Sequence, residues 1–173
     1  VKPANVLIEQ ATGRPVLVDF GLVKRDPHQL HLQSLDQVSL ITQNAAIKGT
    51  PDFMAPEQVN PKDFGEVSAK TDVYGLGAVL YFLLTGKPPF EGRAAVVVMR
   101  KVTRKAPVDP RQHAPQVPAG VADLCLRALA KPAADRPGSA RELAVELAEA
   151  VGLQVPVPEP LNPTQSPAPD LTT

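Results

Sequence analysis

The sequence is poor in several things that would point to particular functions. It has one cysteine, Cys125, so it can form neither an internal disulfide nor a cysteine-based zinc site. It has no excess of charge: 18 Lys+Arg balance 18 Asp+Glu, for a net charge of 0. A neutral balance argues against nucleic acid or an anionic membrane surface as the main partner. It has no long apolar run. The longest uncharged apolar stretch, residues 73–84, falls well short of the roughly 20 residues that a membrane span needs. No membrane segment is expected here, and the expected location is cytoplasmic. The opening residues, Val1-Lys2-Pro3-Ala4-Asn5, do not resemble a secretory leader. A start on Val at a turn-like Lys-Pro is expected of a chain cut from something longer.

What is present is ordinary globular material. The 173 residues amount to one domain, and 43% hydrophobic against 21% charged residues is a foldable balance. Proline is abundant, at 20 residues, and unevenly placed. From Leu153 onward Pro156, Pro158, Pro160, Pro163, Pro167 and Pro169 crowd together. Residues 153–173 are therefore expected to form an extended, disordered linker rather than part of a core.

Periodicity and turn signals divide the rest. Val6-Leu7-Ile8 and Val16-Leu17-Val18 are short β-branched runs around Gly13, which predicts a small hairpin. Residues 22–52 show no sustained period and predict a long loop. Ser68 is placed to cap a helix carrying Thr71 and Asp72 in its first turn and running to Leu84 before Gly86. Its residues 73–84 are apolar on all faces, which predicts burial in the core. Helices are also predicted over 93–104 and 121–130. Another begins at Ser139, which has capping-box spacing to Glu142. In this last helix Ala140, Leu143, Ala144, Leu147, Ala148 and Val151 share one face, and Gly152 closes it. Cys125 lies in an apolar stretch and is predicted to be core.

Four short strings follow one another in a telling order: Lys2-Pro3-Ala4-Asn5, Asp19-Phe20-Gly21, Gly49-Thr50 and Ala55-Pro56-Glu57, with Asp72 and Arg136 beyond them. From residue 1 to about 152 the chain resembles the C-terminal lobe of a eukaryotic-type protein kinase of the bacterial serine/threonine branch. The resemblance implies an α+β, mainly helical fold: a small β-hairpin followed by a helical bundle, with the N-terminal lobe outside these residues. It implies ATP and Mg2+ as cofactors and a Ser/Thr-bearing protein as substrate.

The resemblance also assigns roles. Asp19 and Asn5 would hold the magnesium ions, since hard cations take oxygen ligands. The predicted hairpin brings both residues to one end. Lys2 would steady the transferring phosphoryl group, and Thr50 would help receive the substrate hydroxyl. Residues 19–57 would be the activation segment, with Thr42 the main phosphorylation site and Ser39 and Ser34 lesser ones. Glu57 and Arg136 would form a buried ion pair, and Asp72 would be a buried acid bracing the catalytic loop. Phe53 replaces a common Tyr, and Gly75 stands where Ser or Ala is common.

The family's general base, an Asp five places before Asn5, is expected one residue before Val1. On that reading the parent is an active kinase, while this chain by itself lacks the base and the N-terminal lobe and would be inactive. The face of the central helix that the family covers with another helix would be partly bare. A pseudokinase scaffold and a helical interaction module are the alternatives. His28 and His31 have i, i+3 spacing but no third ligand nearby and are taken as polar loop residues.

Overall fold

The computed structural model describes residues 1–18 and 51–154. It is mainly helical, with one two-stranded antiparallel sheet among the described residues. Strand β1 is Val6–Ile8 and strand β2 is Pro15–Leu17, registered Val6 to Leu17, Leu7 to Val16 and Ile8 to Pro15. The second strand stops one residue short of the predicted end: the Val18 N–H still donates in register to the Asn5 carbonyl, but Asn5 belongs to the 3-10 turn that precedes β1. Gly13 takes φ +70° in the connection, and its N–H donates to the Glu9 carbonyl at 2.8 Å.

Most of the predicted loop over 22–52, the string Asp19-Phe20-Gly21, His28, His31 and the tail beyond Gln154 lie outside the described residues. The last two loop residues, Pro51 and Asp52, open a 3-10 turn, Pro51–Phe53. Two single-turn helices follow, α1 (Pro56–Val59) and α2 (Pro61–Phe64), each begun by a proline. Proline is favoured there because its missing N–H would have had no helical partner. In α1 the Gln58 side chain reaches back to accept from the Ala55 N–H at 3.0 Å.

The central element is α3, Ala69–Thr85. Ser68 caps it: its hydroxyl accepts from the Lys70 N–H, and its own N–H donates to the Thr71 hydroxyl at 3.0 Å. Helices α4 (Ala95–Arg104), α5 (Ala119–Ala128) and α6 (Ala140–Ala150) complete the bundle, with α3 touching α5 and α6. The core joins Tyr74, Ala78 and Tyr81 of α3 to Ala55, Cys125 and Leu129, and Val73 to Leu124, Ala128 and Leu143. Each large apolar side chain buried in this way contributes about 1.5–3 kcal/mol. Phe53 meets the Phe82 ring edge-on, with centroids 6.2 Å apart. Gly77 sets the α3–α5 approach: a Cβ there would stand only 2.7 Å from the Ala128 Cβ.

Three expectations need correction. Helix α3 is apolar all round but not buried all round. Leu83 is 73% exposed, and Leu76, Val79 and Leu80 are half-buried, because α5 and α6 cover only one side; this departs from the burial read from the apolar pattern and agrees with the partly bare face expected from the resemblance. The buried face of α6 is narrower than its pattern suggested. Leu143 and Ala148 are buried, but Ala140, Ala144 and Val151 are exposed. The capping box of α6 is also shifted: Ser139 accepts from the Glu142 N–H, but the Glu142 carboxylate takes the Gly138 N–H at 2.8 Å instead of that of Ser139.

Cys125 is fully buried, with its thiol 3.6 Å from the Gly77 carbonyl. Burial pushes this thiol up to about 12, so it is an inert core group rather than a nucleophile.

Candidate functional site

The front of the site is built by residues 1–18. Lys2 is extended and leads into a 3-10 turn, Pro3–Asn5. The Asn5 N–H donates to the Lys2 carbonyl at 3.0 Å, and the Val6 N–H donates to the Pro3 carbonyl. This closed turn delivers Asn5, which is half-buried, to the start of β1. The Asn5 carbonyl then accepts the Val18 N–H at 2.8 Å. Residue 18, the neighbour of Asp19 in sequence, is thus tied to Asn5, although the two are far apart along the chain. Asp19, Thr42 and Thr50 lie outside the described residues, as do Ser34 and Ser39.

The rear of the site is an ionic anchor. Arg136 Nη1 and Nη2 donate to Glu57 Oε1 and Oε2 at 2.6 and 2.8 Å. The remaining donors go to the carbonyls of Ala130 (2.9 Å), Lys70 (3.0 Å) and Lys131 (3.0 Å). A guanidinium has five N–H donors, and all five are used. Thr71 adds a hydroxyl bond to Glu57 Oε1 at 2.7 Å, and Lys70 Nζ holds the Arg136 carbonyl at 2.7 Å. The arrangement ties α1, the start of α3 and the segment before α6 together. Burial alone would raise the Glu57 carboxyl. The hydrogen bonds from Arg136, its own backbone amide and Thr71, with the Arg136 charge, outweigh that and hold it below the usual carboxylate range.

A second cluster flanks this anchor. The Arg136 guanidinium stands 5.0 Å from the Tyr74 ring centre. Lys131 Nζ lies 4.2 Å from the centre of Phe90 and 5.9 Å from that of Tyr74. Lys131 Nζ and the Tyr74 hydroxyl are both buried without a hydrogen-bond partner among the described residues. Burial, and then the nearby Arg136 charge, bring the Lys131 ammonium down to about 8. Burial raises the Tyr74 hydroxyl, against the opposing pull of Arg136.

Asp72 requires a correction. A buried acid was expected, but Asp72 is exposed. Thr71, Val73, Tyr74 and Gly75 take the inward positions of the first turns, so residue 72 projects on the side of α3 that also carries the exposed Leu83.

A family model described as protein kinase domain matches residues 1–147. The chain belongs to the protein kinase family. Its kinase relatives include a probable serine/threonine-protein kinase of Corynebacterium efficiens, 36% identical over 151 residues, which are 85% of this chain and 21% of that protein. The DNA damage-responsive serine/threonine-protein kinase RqkA of Deinococcus radiodurans is 41% identical over 142 residues, 82% of this chain and 19% of its own length. The serine/threonine-protein kinase PknB of Mycobacterium tuberculosis is 36% identical over 147 residues, 85% of this chain and 22% of its own length. The chain thus spans about a fifth of the length of these curated kinases.

Three participants in this kinase chain were not visible beforehand. Thr71 carries the signal of a helix N-terminal hydroxyl but not of its bond to Glu57. Tyr74 and Lys131 carry no local signal, because their role depends on which elements pack together. No helix among the described residues is long and apolar enough to cross a membrane.

Proposed function

We propose that residues 1–152 form the C-terminal-lobe part of a serine/threonine kinase domain, from the catalytic loop onward, with 153–173 a linker leading away from it. The parent protein transfers the γ-phosphoryl of Mg-ATP to Ser or Thr hydroxyls of proteins in the cytoplasm, and its N-terminal lobe completes the nucleotide site. The observation that carries this reading is the Val18 N–H to Asn5 carbonyl bond, which ties the residue preceding Asp19 to Asn5. We infer that Asn5 and Asp19 share a hard divalent cation, which takes oxygen ligands. Magnesium held by these residues would supply positive charge against the phosphate charge that builds during transfer.

On this reading Asn5 and Asp19 hold the metal. Lys2, at the head of the same closed turn, supplies a positive charge to the transferring group. Thr50 receives the substrate hydroxyl. Glu57 and Arg136 fix the end of the activation segment on the helical bundle and do no chemistry, and Asp72 is a structural residue at the head of α3. Thr42 is the principal activating phosphosite.

The test is phosphate transfer from labelled ATP by the full-length protein. Wild type should label Ser and Thr, while Asn5→Ala and Asp19→Asn should fall to background with their thermal midpoints preserved. Activity that survives both substitutions would overturn the assignment. Phosphopeptide mapping of active protein with Thr42 unmodified would remove the phosphosite.

A further inference from the structure

Residues 92–108 hold five cations, Arg93, Arg100, Lys101, Arg104 and Lys105, and no acid, although charges balance over the whole chain. All but Arg93 gather on α4 and at its end. Arg100 and Arg104 are one turn apart, as are Lys101 and Lys105, and like charges at that spacing destabilise a helix. Cations in a last turn suit the helix dipole, which accounts for Lys101 and Arg104. Arg100 lies before that turn, and its presence needs another reason. Val96 and Val97 are also unusual: they are 56% and 42% exposed, on the side of the helix that ordinarily carries polar residues.

The helix is a firm platform. Val98 and Val102 are buried with Phe90, and Val59 packs against them. Lys101 Nζ donates to the Glu91 carbonyl at 2.7 Å, which fixes that cation against the chain. Arg100, Arg104 and Lys105 are exposed and have no carboxylate partner among the described residues. Val97, Arg100, Lys101 and Arg104 recur at the spacing of one helix face. With Lys105 they line an open groove of about 380 Å³. Unpaired cations thus stand beside an apolar strip on one rigid element.

We propose that the outer face of α4 docks an acidic segment of a partner protein, with carboxylates on Arg100, Arg104 and Lys105 and an apolar side chain on Val97. A guanidinium meets a carboxylate through two parallel bonds. Residues one turn apart have Cβ atoms roughly 5–6 Å apart, within reach of neighbouring acids of a single segment. Bound acids also remove the repulsion between Arg100 and Arg104. The valines separate this occupant from other anions. Nucleic acid would use the cations but not Val96 and Val97, and the face carries no aromatic ring on which a base could stack. A membrane surface takes large apolar side chains such as Trp, Phe and Leu, which this face lacks. The docking goes beyond phosphoryl transfer and does not depend on it.

The experiment measures, by fluorescence anisotropy, binding of the full-length protein to a panel of short labelled peptides. Each peptide carries glutamates at varied spacing around one leucine, and its control has glutamine at every glutamate. Wild type should bind at least one acidic peptide about tenfold more tightly than its glutamine control, and less tightly as salt rises. Arg100→Glu and Arg104→Glu should each weaken that binding about tenfold, with an unchanged or higher thermal midpoint because each relieves a like-charge pair. Val97→Ser should weaken it about threefold. Arg141→Glu, which reverses an exposed cation on α6, should leave it unchanged. Equal affinity for the acidic and glutamine peptides, or no binding to any of them, would overturn the proposal. So would charge reversals on α4 that leave affinity at the wild-type level. Tighter binding to duplex DNA, or to vesicles containing phosphatidylserine, than to every acidic peptide would overturn it in favour of that surface. If a charge reversal fails to fold, the glutamate and glutamine comparison on wild type, together with Val97→Ser, still decides.

Discussion

The guanidinium of Arg136 meets the carboxylate of Glu57 through two parallel bonds of 2.6 and 2.8 Å, with the two side chains 0% and 1% exposed. A pair this deep is held by geometry as much as by charge, because desolvation offsets much of the attraction. Removing one partner leaves the other charged and dry. Arg136→Met should therefore lower unfolding stability by about 3–5 kcal/mol in denaturant titrations, and Arg136→Lys should not rescue it, since a lysine cannot supply the planar fork. The Glu57→Gln, Arg136→Met double variant should be more stable than the sum of the single losses predicts.

The same carboxylate gives a pH signature. The pKa of Glu57 is lowered in the folded chain relative to an ordinary glutamate near 4.3. The unfolded chain therefore takes up a proton first as pH falls. The stabilisation is complete above the ordinary value and is lost as pH drops through the lower, folded one. The stability difference between wild type and Glu57→Gln should be constant near neutrality and shrink steadily below about pH 4. A difference independent of pH down to the acid transition would contradict this.

Lys131 should behave in the opposite way. Its folded pKa is about 8, below the ordinary lysine value near 10.4. Below pH 8 both states carry the proton, and the folded chain bears the full penalty of a buried ammonium. Between the two values the unfolded chain binds more protons, so stability rises with pH. Lys131→Met should raise the thermal midpoint at pH 7 by at least about 2–4 °C, the shift that 1 kcal/mol produces at this size. Its advantage should narrow as pH climbs from 8 to 10. Loss of the contact with Phe90 works against this gain. An unchanged or lower midpoint at pH 7 would show that this contact outweighs the burial penalty.

Gly77 and Ala128 should be energetically coupled. A methyl at 77 would stand 2.7 Å from the Ala128 Cβ, so the helices must separate to admit it. Overpacking of this kind costs about 1–3 kcal/mol, against about 1 kcal/mol of helix propensity gained. Gly77→Ala should be destabilising in the wild-type background and stabilising or neutral beside Ala128→Gly. A double-mutant cycle measures this as a coupling of about 0.5–3 kcal/mol, and additivity would argue against a close approach.

Local chemistry was well expressed in the sequence. Ser68 and Ser139 mark the starts of α3 and α6 because a hydroxyl that bonds a helix N-terminal N–H acts within a few residues. The hairpin was legible from β-branched runs around Gly13 for the same reason. Burial was less legible. An all-apolar helix reports that nothing on it resists burial, not that every side is covered, and Leu83 shows the difference. Asp72 was misjudged likewise, since its exposure depends on which neighbours α3 has. The Lys131–Phe90–Tyr74 cluster arises only when distant segments meet, so no local pattern announces it.

Glu57 and Arg136 stand 79 positions apart. At a synthesis rate of about 5–20 residues per second, the acid leaves the ribosome roughly 4–16 s before the base that neutralises it. Throughout that interval the Glu57 carboxylate favours water, and α1 has no cation to draw it inward. The segment around residues 51–64 is thus made early but locked late, and during translation its docking waits on a residue near the opposite end of the bundle.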